Sequence, residues 1–341
     1  MLSIQPQIRI TDPQRIDRNA ILRDIDAGIQ VIVQFSGQTY TRRLLEELNE
    51  LCSELDDNFT LRFYTLGRTT YDGRILRFVP NVKSLQIDSQ YESTHGDSFT
   101  ELTELKKLNV VISDLAQKEI LQSENLRRLE YLGIGSVKTK ALNLEYLRDY
   151  NDLTSLMING QIKNIEAVGS LPKLKELHLH SLPKIPLHFI NELKGLRKLS
   201  ILLGGRENIL EIEENEIEDL SIDWVRGFNN LDNISNFRNL KSLNIENLIK
   251  LKSLHFDEAL PRLDYLRILN CKTFESLTGV QNLPILDELR IVETALDFDQ
   301  FMTQPLPESL NELAFYAKSE REIKEIGRKL ETLGYSIENR V

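Results

Sequence analysis

The feature that most constrains this chain is a short apolar pattern that keeps returning along its length. In LTSLMI, beginning at Leu153, apolar residues occupy positions one, four and six: Leu153, Leu156 and Ile158. The template recurs as LKELHL at Leu174, LRKLSI at Leu196, IEDLSI at Ile217, LKSLNI at Leu240, LDYLRI at Leu263 and LDELRI at Leu286. Outlying copies are LEYLGI at Leu129, LKKLNV at Leu105, VKSLQI at Val82, LNELAF at Leu310 and, less typically, LRFYTL at Leu61. From Tyr64 to Leu313 the fourth-position residues of the twelve copies lie 21 to 24 residues apart. Every diagnostic position is aliphatic or aromatic in a chain that is 41% hydrophobic, so chance is not a serious competitor.

Positions four and six are two residues apart and therefore share one face of a short strand, while positions three, five and seven share the other. Such a strand cannot bury its greasy face alone. Copies stacked side by side as a parallel sheet create one continuous core, in which each buried leucine or isoleucine contributes roughly 1.5–3 kcal/mol before the ordering cost.

The spacing and the LxxLxI core resemble the leucine-rich-repeat family over Leu61 to Phe315. That resemblance implies an α/β leucine-rich-repeat solenoid: a curved parallel sheet on the concave face, short helices and irregular turns on the convex face, and α/β caps at both ends. Convex apolar positions are visible after Ile158, at Ile162, Ile165, Val168 and Leu171. The family often carries asparagine at position nine. Here that position reads Gln161, Leu182, Gly204, Val225, Leu248, Cys271 and Thr294, so LDYLRILNCKTFESL is similar to the cysteine-bearing variant of the repeat and no subfamily is assigned.

An open stack exposes a hydrophobic cross-section at each end and needs a terminal element with one polar face. Residues 1–58 read as an N-terminal cap of helix, strand and helix. Asp12-Pro13 is a helix-start signal for a segment running to Gly28, IQVIVQF is a strand, and Leu44, Leu48, Leu51 and Leu55 form an apolar helical stripe. Residues 59–317 then hold about twelve repeats, and residues 318–341 form a C-terminal cap. In that cap Ser319 with Glu322 fits a capping box, Ile323, Ile326, Leu330 and Leu333 form a stripe ending at Gly334, and YSIENRV adds a strand.

Composition narrows the partners. Fifty-two acidic residues against 42 basic ones give a formal net charge of −10, which repels nucleic-acid phosphate and anionic lipid at long range. No basic stripe with interleaved aromatics is evident, which disfavours nucleic acid. There is no secretory leader pattern at the start and no apolar run of membrane-spanning length, so the expected location is cytoplasmic, without membrane. Cys52 and Cys271 are expected to be free thiols with structural roles.

Reactive chemistry is harder to find. His178 and His180 alternate on a strand and would share a face, with His188 nearby, yet no third metal ligand is evident. LLGGR, ending at Arg206, lacks a Walker context and reads as a loop turn, and the run from Glu211 to Asp219 lacks the ligand alternation of a calcium loop and reads as a solvated convex segment. No catalytic, cofactor or metal residues are therefore assigned.

Strand parity places Glu176, His178, His180, Lys198, Ser200, Asp219, Asp223, Trp224, Asn244, Glu246, Tyr265, Arg267, Glu288 and Arg290 on the concave face as candidates for partner binding. Trp224, the only tryptophan, sits at position eight, at the strand edge, where it is either an interface anchor or a core residue. The expectation is a non-catalytic protein-binding scaffold that captures a partner protein there, a regulator or inhibitor being a specialised version. The alternative is an enzyme with an unrecognised, metal-assisted site on the concave face or in the N-terminal cap.

Overall fold

The computed structural model describes residues 6–65, 67, 69–89, 91–112, 119–135, 142–316 and 319–335. The chain falls into two compact units, Met1–Lys173 and Leu174–Val341.

In the first unit seven parallel strands follow one another in chain order: β1 (Gln7–Thr11), β2 (Gln30–Ser36), β3 (Phe59–Tyr64), β4 (Ser84–Ser89), β5 (Lys107–Ile112), β6 (Tyr131–Gly135) and β7 (Ser155–Asn159). Its helices are α1 (Arg18–Asp26) and α2 (Arg42–Glu54), and later connections use short 3-10 turns such as Ile165–Ser170.

The second unit repeats the arrangement with β8 (Glu176–His180), β9 (Lys198–Leu202), β10 (Asp219–Asp223), β11 (Ser242–Glu246), β12 (Tyr265–Leu269), β13 (Glu288–Val292) and β14 (Glu312–Tyr316). The short helix α3 (Phe298–Phe301) precedes β14, and α4 (Glu320–Thr332) follows it.

Register is set by the leucines. In the second unit Leu177 pairs with Leu199, Leu199 with Leu220, Leu220 with Leu243, Leu243 with Leu266, Leu266 with Leu289 and Leu289 with Leu313. In the first, Leu85, Leu108, Leu132 and Leu156 align in the same way. All three diagnostic residues of each copy from Val82 to Phe315 are buried, none more than 6% exposed. Shifting any strand by one residue would turn its whole leucine set to solvent, so burial specifies the register. The chain has the leucine-rich-repeat fold.

Three local expectations need correction. LRFYTL is misaligned by three residues: β3 pairs Leu61 with Leu85 and Phe63 with Ile87, so these two fill positions four and six, while Tyr64 is half-buried opposite Asp88. Phe59, Leu61 and Phe63 alternate into the core, and that run outcompetes one anchored on Tyr64.

Asp12 does not start a helix. It ends β1 with φ +48°, and its carboxylate accepts the backbone N–H of Ser36 at 2.7 Å and the hydroxyls of Ser36 and Thr39. The helix starts later, where Asp17 caps α1 by accepting the Ala20 amide.

Ser319 does cap α4, accepting the Glu322 amide at 3.2 Å, and Ile326 and Leu330 are buried, but Leu333 is exposed at the helix end. Of the YSIENRV segment, residues 336–341 lie outside the described residues.

Candidate partner-binding face

On the second unit the odd-numbered repeat positions form three columns across the sheet face opposite the leucines. Position three carries Glu176, Lys198, Asp219, Ser242, Tyr265, Glu288 and Glu312; position five His178, Ser200, Ser221, Asn244, Arg267, Arg290 and Ala314; position seven His180, Leu202, Asp223, Glu246, Leu269, Val292 and Tyr316. Apart from Ala314, every one is half-buried, as expected of side chains that stand beside their neighbours at about 4.8 Å spacing with tips in water. Strand parity therefore brings the candidate residues of the three columns onto one surface of one unit.

The two arginines of this face are already engaged. Arg267 donates to Glu246 at 3.2 Å, and Arg290 pairs with Glu288 and, at 3.8 Å, with Glu312. The carboxylates of Asp219 and Asp223 form no ion pair among the described residues. Burial raises the pKa of both, Glu218 adding to the effect at Asp219 and Glu246 at Asp223. Burial also raises the Tyr265 phenol.

The two histidines do come together, their rings edge-on with centroids 6.4 Å apart, and Glu176 lies 3.8 Å from His178. Burial, helped by His178, lowers the His180 pKa and favours its neutral form. His188 is exposed and opens a separate 3-10 turn. Among the described residues no three His, Cys, Asp or Glu side chains are placed to hold a metal ion.

Position eight behaves differently from the rest of the strand. Ser181, Leu203, Trp224, Asn247, Asn270 and Glu293 all have left-handed backbones, with φ between 51° and 60°. Each amide still continues the ladder: Leu203 N–H donates to Asp223 O at 2.9 Å, Trp224 to Glu246 O at 3.1 Å and Asn247 to Leu269 O at 3.0 Å. Simple alternation would send position eight into the core and position nine out. The left-handed residue breaks the alternation, and position nine turns inward instead, burying Leu182, Val225, Leu248, Cys271 and Thr294.

Asn247 meets this conformation at low cost and is 7% exposed, its amide donating to Asp223 at 3.3 Å and Glu246 at 3.1 Å. Leu203 and Trp224 have no such local bonding and stand 46% and 56% exposed. Leu203 was not among the candidate residues. The signal for it was present in the sequence, as a large apolar residue in a column that from Ser181 to Glu293 is otherwise filled by serine, asparagine, glutamate and Trp224.

At position nine, other side chains accept backbone amides in the bend. Gln161 accepts the Leu142 amide at 3.0 Å, Cys271 sulfur the Leu248 amide at 3.4 Å and Thr294 the Leu296 amide at 3.3 Å. Burial pushes the Cys271 thiol up to about 11 and the Cys52 thiol up to about 12, which leaves both protonated and unreactive at neutral pH.

LLGGR and the acidic run prove to be one structural unit. A Cβ on Gly204 (φ +90°) would lie 2.2 Å from Leu182 O, so only glycine fits. Arg206 pairs at 2.5 Å with Glu211, which also accepts the Leu187 amide. Glu211 is thus partly buried, whereas Glu213, Glu214 and Glu216 are exposed and Asp219 belongs to β10. Among the described residues no helix is long and apolar enough to cross a membrane.

No protein-family profile matches the chain, and no curated protein matches it. Solved structures similar to it include an internalin of Listeria monocytogenes, at 15% identity over 92% of this chain and 86% of that one, with a TM-score of 0.48. A leucine-rich-repeat protein of Leptospira interrogans matches at 14% identity over 75% and 95%, with a TM-score of 0.35. The leucine-rich-repeat domain of a type III effector matches at 12% identity over 90% and 85%, with a TM-score of 0.24.

Proposed function

We propose that this chain is a non-catalytic scaffold that captures a partner protein on the open face of its second unit, as a regulator or inhibitor of that partner. The observation that carries the reading is the division of the strands into two faces. One is a dry leucine ladder, and the other is an aligned, half-buried surface of acids, arginines, histidines and Tyr265. Tyr, Trp and Arg are the side chains that most often anchor interfaces, and this face holds all three types. Residues 1–58 and 318–341 act in this reading as caps that keep the repeat stack closed to solvent. The free, buried thiols suit a cytoplasmic location.

The test is to capture partners from native lysate with the full chain, purify the one enriched and map hydrogen exchange in the complex. The reading expects slowed exchange in β8 to β13 and the residues just after them, together with loss of binding in Tyr265→Ala/Arg267→Ala. Protection confined to the 3-10 turns on the opposite side would overturn it. So would turnover of a substrate abolished by His178→Ala/His180→Ala.

A further inference from the structure

The left-handed column after the strands contains two residues that local chemistry does not explain. Leu203 and Trp224 occupy consecutive repeats, both in a backbone conformation that L-residues with bulky side chains adopt at a cost, and both largely in solvent. Asn247 and Asn270 show how the same position is filled cheaply. A large, half-exposed apolar side chain here gives up the local bonding that asparagine has in the same conformation, and a strained position of this kind is a candidate for binding. The two residues stand at adjacent positions of the ladder, because the Leu203 amide bonds the carbonyl of Asp223, the residue just before Trp224.

Beside this ridge lies the carboxylate of Asp223, which forms no ion pair among the described residues. It accepts hydrogen bonds from the Asn247 amide and the Trp224 backbone, and Glu246 shares its charge with Arg267. Along position seven the ridge is flanked by His180, Leu202, Asp223 and Glu246.

We propose that Leu203 and Trp224, with the carboxylates of Asp223 and Glu246, form the docking point for a segment of the partner that carries an apolar side chain next to a lysine or arginine. The apolar group packs on the Leu203–Trp224 ridge. The cation reaches Asp223 and lies against the indole face, which adds a cation–π contact. This rests on the reading of the open face as a protein-binding surface and names the chemistry of its partner.

The test uses the full chain and a displayed library of random 12-residue peptides. Peptides with lysine or arginine beside a large apolar residue are expected to be enriched, and synthetic copies are expected to change the fluorescence of Trp224, the only tryptophan in the chain. Their Kd should rise about tenfold or more in Trp224→Gly and in Asp223→Asn, with far-UV circular dichroism unchanged.

Enrichment of acidic or purely apolar peptides, equal binding by both variants, or no enriched peptide at all would overturn the assignment. Self-association of the wild type that disappears in Trp224→Gly would also overturn it, because the occupant would then be a second copy. The failures can be told apart. If the captured partner binds Trp224→Gly normally but loses Tyr265→Ala/Arg267→Ala, the ridge is wrong and the scaffold reading stands; if nothing binds the chain, both fall.

Discussion

Trp224 offers a test in which the sign of an effect, rather than its size, decides. Its φ of +53° lies where a residue with a Cβ costs roughly 1–2 kcal/mol relative to its ordinary conformation. Glycine avoids that cost but gives up about 0.5–1 kcal/mol more chain entropy on folding. Trp224→Gly and Trp224→Ala both remove the ring and differ only in this balance, so glycine should be the more stable by about 0.5–1 kcal/mol. In a helix interior the order reverses, since glycine there is worse than alanine by about 0.8–1 kcal/mol. Arg328, exposed within α4, provides that control.

Thermal melts of the four variants by circular dichroism would show the difference as a midpoint shift of about 1–4 °C, using roughly 2–4 °C per kcal/mol for a unit of this size. If Trp224→Gly melts below Trp224→Ala, as expected for the Arg328 pair, the left-handed backbone is wrong and the strain argument for the ridge goes with it.

Leu243→Ala, at a site with no exposure, should cost roughly 2–5 kcal/mol in urea denaturation, whereas Asn244→Ala on the opposite face should stay within about 0.5 kcal/mol; similar losses would mean the two faces are misassigned. Glu211→Ala strands the Arg206 guanidinium, whose side chain is 8% exposed, and should cost about 3–5 kcal/mol, much of it recovered in Arg206→Met/Glu211→Ala.

The His180 pKa is lowered by folding, so the unfolded chain takes up the proton more readily once pH drops below about 6.5. The stability tied to neutral His180 is full above that value and declines as pH falls toward the folded pKa. Melting points at pH 7.5 and 5.5 should therefore fall less in His180→Gln than in the wild type, and parallel curves would refute the assignment.

Most of the architecture could be read from spacing alone, and the physical reason is narrow. A side-chain period of two, repeated every 21 to 24 residues, leaves one way to hide all the leucines, so the pairing of Leu243 with Leu266 follows from the text of the chain. Parity likewise brought Asp219, Asp223, Glu246, Arg267 and their neighbours onto one surface.

Three things needed tertiary structure. FTLRFYTL offers competing apolar alternations, and pairing with both β2 and β4 chose Leu61 and Phe63 over Tyr64. Asp12-Pro13 reads locally as a helix start, but the carboxylate found better donors in Ser36 and Thr39, more than twenty residues away. The left-handed turn after each of β8 to β13 accompanies the ladder bond its amide makes to the next repeat and the inward turn of position nine. Those contacts, absent from any single repeat taken alone, expose Trp224 while Val225 beside it is buried.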